Sequence, residues 1–313
     1  MAKRFFTDPC RPGLPGWEEW PFMSEVLSSN AESAFAALPP GIVERFIDAE
    51  GVRTRYLESG NGSPLILIHG GGAGADSYGN WRRVIPLLAG DHRVIAVDMI
   101  GFGRTAKPEG SYSQDRRIDH LTAFIEALEL DGPAALVGNS MGGATALGVS
   151  VRRPDLVRAL VLMGSAGLNV EISKELLPIL NYDFTREGMI RLIRALTNDR
   201  FEIDEDLVSY RFALAGEADA RRAYAATMGW IKEQGGLFYE EDFIRKVDVP
   251  TLVINGKQDK VVPLASAFRF LQLIENSWGY IIPHCGHWAM IEHPESFAEA
   301  TLSFIDQRAG GPR

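Results

Sequence analysis

The chain has 313 residues, 46% of them hydrophobic and 23% charged, and its 32 basic against 41 acidic residues leave a net charge of −9. That length suits one α/β domain with an insertion, and the net charge excludes nucleic acid and anionic membranes as expected partners. No window reaches the ~20 apolar residues that span a bilayer, and the first residues lack the apolar stretch of a secretory signal. The two cysteines, Cys10 and Cys285, suit a reducing cytoplasm without disulfides, and with no companion ligands Cys285 offers no metal site; no cofactor is expected.

Residues 1–42 read as an arm rich in proline, tryptophan and glycine, with one helical stretch at 24–38. The sheet is expected to begin with a hairpin, 43–48 and 52–57, joined by Ala49-Glu-Gly51. A continuous apolar strand follows at 64–69, then a helix near 81–88, a strand at 93–98 and a helix at 113–130. Next come a buried strand at 134–137, a helix at 144–151 and a strand at 159–163. From 168 to 247 there are no strand runs, only helical stretches at 186–197, 204–215 and 219–233. Strands resume at 250–256 and 278–283, and a helix covers 294–304. Strands alternating with helices imply a mostly parallel sheet with helices on both faces. The core is expected at 43–167 and 248–313, with 168–247 a helical lid at the carboxyl edge of the sheet, where ligands of such sheets bind.

Ser140 is the most informative residue. It stands in Gly138-Asn-Ser-Met-Gly-Gly143, between a buried strand and a helix. A serine in so short a reversal takes a strained backbone, and its neighbours must be small for adjacent backbone to pass. That pattern is the nucleophile elbow of an α/β-hydrolase, which needs a histidine to take the serine proton and a carboxylate to orient the histidine. Asp259 follows the 250–256 strand directly; Asp242 and Asp248 are rivals by type but not by position. Of His284 and His287, the second follows Gly286 and leads into a helix, so it is the expected base, with His284 a structural hydrogen-bonder. An oxyanion hole is expected from backbone N–H groups: Met141, after the nucleophile, and Gly71 in the Gly70-Gly-Gly-Ala-Gly74 loop, with Gly72 as rival to Gly71. A dinucleotide-binding loop is the competing reading of those glycines, and the absence of a helix pattern directly after them argues against it. His69 is expected to brace the loop.

Three stretches, Ile68-His-Gly-Gly-Gly through Trp81, Gly138 through Leu147, and Cys285-Gly-His-Trp through Pro294, resemble the meta-cleavage product hydrolases, which break C–C bonds in aromatic degradation. The resemblance runs from about residue 43 to 306, and 181–189 with 233–239 are most similar to the carbazole-pathway branch. It implies a small anionic substrate of the 2-hydroxy-6-oxohexa-2,4-dienoate type, cut to 2-hydroxypenta-2,4-dienoate and a carboxylic acid. It also implies substrate contacts at Gly72, Asn80, Asn139, Arg211 and Trp288, with Arg211 and Asn80 meeting the carboxylate end, and at least a homodimer. Arg186, Arg191, Arg194, Arg221 and Arg222 of the same segment compete with Arg211 for that role. An ester or lactone hydrolase is the nearest alternative, since one acyl-transfer site serves both; a non-catalytic ligand receptor on the same scaffold is a more distant one.

Overall fold

The sheet starts from a tight turn. In this computed structural model, which describes residues 38–169 and 172–308, β1 (Val43–Ala49) and β2 (Val52–Ser59) pair antiparallel around Glu50 and Gly51, whose φ angles are +50° and +83°. Two left-handed residues in a two-residue loop match the twist of the flanking strands. The arm helix expected at 24–38 lies, but for Leu38, outside the described residues.

β3 (Ser63–Ile68), β4 (His92–Val97), β5 (Ala134–Asn139), β6 (Val157–Met163), β9 (Thr251–Gly256) and β10 (Ser277–Ile282) complete an eight-stranded sheet in the order β1-β2-β4-β3-β5-β6-β9-β10. β2 alone runs against the rest. The central strand β5 is buried at every residue, as a parallel strand covered on both faces must be. Helices α3 (Gln114–Ala127), α4 (Met141–Arg152), α10 (Leu264–Leu273) and α12 (Pro294–Arg308) alternate with the strands.

One helix expected near 81–88 is two: α1 (Ser77–Trp81) and α2 (Ile85–Leu88). Asp76 caps α1 by accepting Gly79 N–H at 2.6 Å, and Pro86, which has no N–H, prevents a continuous helix. Between β6 and β9 run α5 (Leu177–Leu180), α6 (Arg186–Leu196), α7 (Glu205–Gly216), α8 (Ala218–Gln234) and α9 (Glu241–Ile244). The expectation of no strands there is corrected: β7 (Leu168–Asn169) and β8 (Leu237–Phe238) pair antiparallel at the base of this helical insertion. Strands of two residues are too short to leave a pattern in sequence. A last short helix, α11 (Ala289–Glu292), follows β10. Among the described residues no helix is long and apolar enough to cross a membrane, and no cluster of metal-ligating side chains occurs.

Candidate active site

Ser140 sits between β5 and α4 with φ +55° and ψ −118°, a backbone conformation that costs a non-glycine residue strain. The surrounding glycines are steric requirements. A Cβ on Gly142 would lie 2.3 Å from the His69 carbonyl oxygen, and one on Gly138 would lie 2.5 Å from the Gly142 carbonyl oxygen. The elbow is held open by hydrogen bonds from Ser140 N–H to Met163 O and from Ala166 N–H to Ser140 O, both 3.1 Å.

His287 and Asp259 are bonded directly. Nδ1 of the imidazole lies 2.7 Å from Oδ2 of the carboxylate, and both side chains are buried. Oδ1 of Asp259 accepts the amides of Val261 and Val262, each at 2.8 Å, so the carboxylate is fully occupied and fixed. Gly164, with φ +48°, makes room for the pair; a Cβ there would stand 3.0 Å from His287 Nδ1. With Nδ1 donating to Asp259, the other ring nitrogen, Nε2, is an acceptor, and it makes no hydrogen bond within the protein. Ser140 and His287 line one cavity. His284 lies outside that arrangement, beside Arg200 at 3.2 Å. Cys285 is free and buried, and burial raises its thiol pKa, so it stays protonated.

The cavity encloses about 740 Å³, mouth included, and is also lined by Gly71, Gly72, Met141, Asn80, Asn139, Arg211 and Trp288. Met141 N–H belongs to the first turn of α4, where amides lack intrahelical partners. A Cβ on Gly71 would meet the Met141 side chain at 2.8 Å, which keeps that strip of loop bare. His69 fastens the loop, Nδ1 donating to Gly70 O at 2.7 Å and Nε2 accepting Met99 N–H at 3.0 Å. Burial pushes its pKa down to about 4, so the ring is neutral.

Arg211 is wholly buried. Its Nη1 donates to Asn80 Oδ1 at 3.1 Å and its guanidinium stacks on the Trp288 ring at 4.6 Å, yet Nε and Nη2 have no partner, nor has Asn80 Nδ2. Burial lowers the Arg211 pKa to about 10, which leaves it charged at neutral pH. A buried cation without a counter-ion is costly unless an anion joins it. Asn139 is placed differently: its amide donates to Met163 O at 3.1 Å and to His287 O at 3.4 Å, so it braces the turn that carries His287 as well as lining the cavity.

Sequence reasoning missed what holds Arg211. Its neighbour Tyr210 donates to Asp76 Oδ2 at 2.6 Å, and Asp76 and Asp98 share the Arg55 guanidinium at 3.2 and 3.1 Å. Burial and the adjacent Asp98 raise the Asp76 pKa; Asp98, although buried, is held below the usual range by Arg55. Two bonds, Asp76–Tyr210 and Asn80–Arg211, therefore clamp α1 to α7 at the cavity wall.

The alpha/beta hydrolase fold family model matches residues 63–294. That match, with Ser140 in a strained turn between β5 and α4, places the chain in that class, the α/β hydrolases. A 2-hydroxy-6-oxo-6-(2'-aminophenyl)hexa-2,4-dienoic acid hydrolase of Metapseudomonas resinovorans is 64% identical over 286 residues, 91% of this chain and 96% of the relative. A 2-hydroxymuconate semialdehyde hydrolase of Pseudomonas sp. (strain CF600) is 37% identical over 84% of this chain and 94% of its own length. Among solved structures, a serine hydrolase involved in carbazole degradation superposes with a TM-score of 0.81 at 64% identity, covering 85% of this chain and 100% of that one. A meta-cleavage product hydrolase from Pseudomonas fluorescens IP01 gives 0.80 at 34% identity, covering 84% and 97%. The chain belongs to the meta-cleavage product hydrolases.

Proposed function

We propose that the chain hydrolyses the C–C bond of 6-substituted 2-hydroxy-6-oxohexa-2,4-dienoates, with Ser140 as nucleophile, His287 as base and Asp259 as its orienting carboxylate. The observation that carries this reading is the cavity's polarity. Its unpaired buried donors, Arg211 Nε and Nη2 and Asn80 Nδ2, belong to two lining side chains that are bonded to each other, and much of the remaining wall is apolar: Ile172, Leu176, Ile179, Met228, Ile231 and Val262. A substrate with a carboxylate at one end and an aryl or alkyl ketone at the other matches both. Arg211 binds the carboxylate as a fork, Asn80 adds a donor, Trp288 backs the guanidinium, and Gly72 and Asn139 complete the wall.

A carbanion is a poor leaving group, so the dienol first tautomerises to the keto form. His287 then takes the Ser140 proton as Oγ adds to the C6 carbonyl carbon, and the oxyanion rests on the Gly71 and Met141 amides. Cleavage of C5–C6 sends its electron pair into the dienolate that Arg211 and Asn80 stabilise. Protonated His287 returns its proton to that departing dienolate, and the freed imidazole then deprotonates the water that releases the acid from Ser140. Residues 168–247 act as the lid that keeps bulk water from the acyl enzyme. The edge strand β10, where Tyr280 is exposed, supports a homodimer, and the free buried thiol of Cys285 supports a cytoplasmic setting.

The test follows loss of visible absorbance when purified protein meets dienolates bearing methyl, phenyl or aminophenyl groups, beside nitrophenyl esters. All three dienolates should be cleaved, the aryl ones best. Rapid ester hydrolysis with the dienolates left intact would make the protein an esterase instead.

A further inference from the structure

The turn that carries His287 is held by a side chain outside the triad. Glu292 ends α11, and both its carboxylate oxygens accept amide hydrogens. Oε1 takes Gly286 N–H at 3.1 Å and Trp288 N–H at 3.2 Å; Oε2 takes Asn198 N–H at 2.8 Å and shares Gly286 N–H at 3.1 Å. The amide between them, that of His287, donates to Leu196 O at 2.9 Å. The amides of Gly286, His287 and Trp288 are thus all committed, to Glu292 or to the last residue of α6. The approach is close: a Cβ on Gly286 would lie 2.6 Å from Asn198 N and 2.7 Å from Thr197 C. Burial raises the Glu292 pKa, and the amides of Asn198, Gly286 and Trp288 oppose the rise, replacing the water the carboxylate has lost. One carboxylate therefore joins the base turn, the indole under Arg211 and the end of α6.

We propose that Glu292 is a positioning residue, which keeps the His287 imidazole and the Trp288 ring in register with the helical insertion. The proposal rests on the reading of His287 as the base. It acts at a distance from substrate: Glu292 is not among the residues lining the cavity, and its effect passes through the backbone of residues 286–288. Misplacing a reacting group by about 1 Å can cost roughly 10²-fold in rate, so a loosened turn should be felt in the chemical step.

The test is Glu292→Gln in the full chain, with Glu292→Asp and His287→Ala alongside. Glutamine has the same shape, but its amide puts N–H donors where one oxygen accepted, so one side of the bracket is lost whichever way it turns. Two rates are read on protein shown to be folded by circular dichroism: kcat with the phenyl dienolate, and modification of Ser140 by a fluorophosphonate, which needs the base but not the dienoate contacts. In Glu292→Gln both should fall about tenfold or more, with KM changing far less than kcat, and Glu292→Asp should lie between it and the parent. A folded Glu292→Gln with parental values for both rates, its defect confined to the melting temperature, would overturn the proposal. Should glutamine prevent folding, Glu292→Asp is read in the same way. An inert His287→Ala beside an unimpaired Glu292→Gln sinks only this proposal, whereas an active His287→Ala sinks the reading beneath it.

Discussion

Arg211 is a guanidinium removed from water with only one side-chain oxygen, from Asn80, bonded to it. Its planar fork leaves Nε and Nη2 for a second planar group, and a carboxylate fits that edge in bidentate fashion. Hydrogen bonds to charged groups contribute about 1.5–3 kcal/mol, so Arg211→Ala should raise KM for the dienolate by about ten- to a hundredfold. Arg211→Lys should recover little, because an ammonium cannot reproduce the fork or the stacking on Trp288. Steady-state kinetics on both variants checks this; an unchanged KM in Arg211→Ala would remove the residue from the carboxylate site. Its environment was not legible in the sequence. Periodicity puts six arginines on helices of the 168–247 segment, and only the fold shows that α7 turns this one inward, where Tyr210 anchors it to Asp76.

Elements differed in how plainly they were written. The elbow was legible because its cause is local: positive φ at Ser140 and close backbone on every side exclude Cβ atoms, and glycines record that exclusion directly. Asp259 and His287 were legible for a related reason, since each follows a strand whose end fixes where the next residues go. The split between α1 and α2 hung on Pro86, present in the sequence but outweighed there by the apolar pattern around it. The β7–β8 pair joins segments far apart in the chain, so no local pattern encodes it. The Glu292 bracket is of the same kind. Its acceptor is an ordinary glutamate in a short helix, and its meaning comes from the α6 terminus that tertiary packing brings beside it.

For the whole molecule, buried titratable groups set the response to acid. His69 and His120 are buried, and burial lowers the pKa of each to about 4. Between about pH 6.5 and about 4 the unfolded chain therefore binds protons that the folded one refuses, and stability falls as pH falls, by up to about 1.4 kcal/mol per pH unit for each ring. Asp98, held below its usual value of 3.8, adds to the loss only near and below that pH, whereas Asp76, shifted upward, opposes it above that pH. The urea midpoint should be lower at pH 5 than at pH 7.5. His120→Gln, which can still donate to Thr54 Oγ1, should flatten the difference; an equal or higher midpoint at pH 5 would contradict this account. What the folded molecule finally does is bring a strained serine, an oriented imidazole and a buried unpaired cation to the wall of one cavity. The most direct measurement is product analysis from a single turnover of 2-hydroxy-6-oxo-6-phenylhexa-2,4-dienoate by the parent protein and by Ser140→Ala. The parent should yield benzoate and 2-hydroxypenta-2,4-dienoate in equal amounts, and Ser140→Ala should bind the dienolate but release both more than about 10³-fold more slowly. Release of both products by Ser140→Ala at the parental rate would contradict the account.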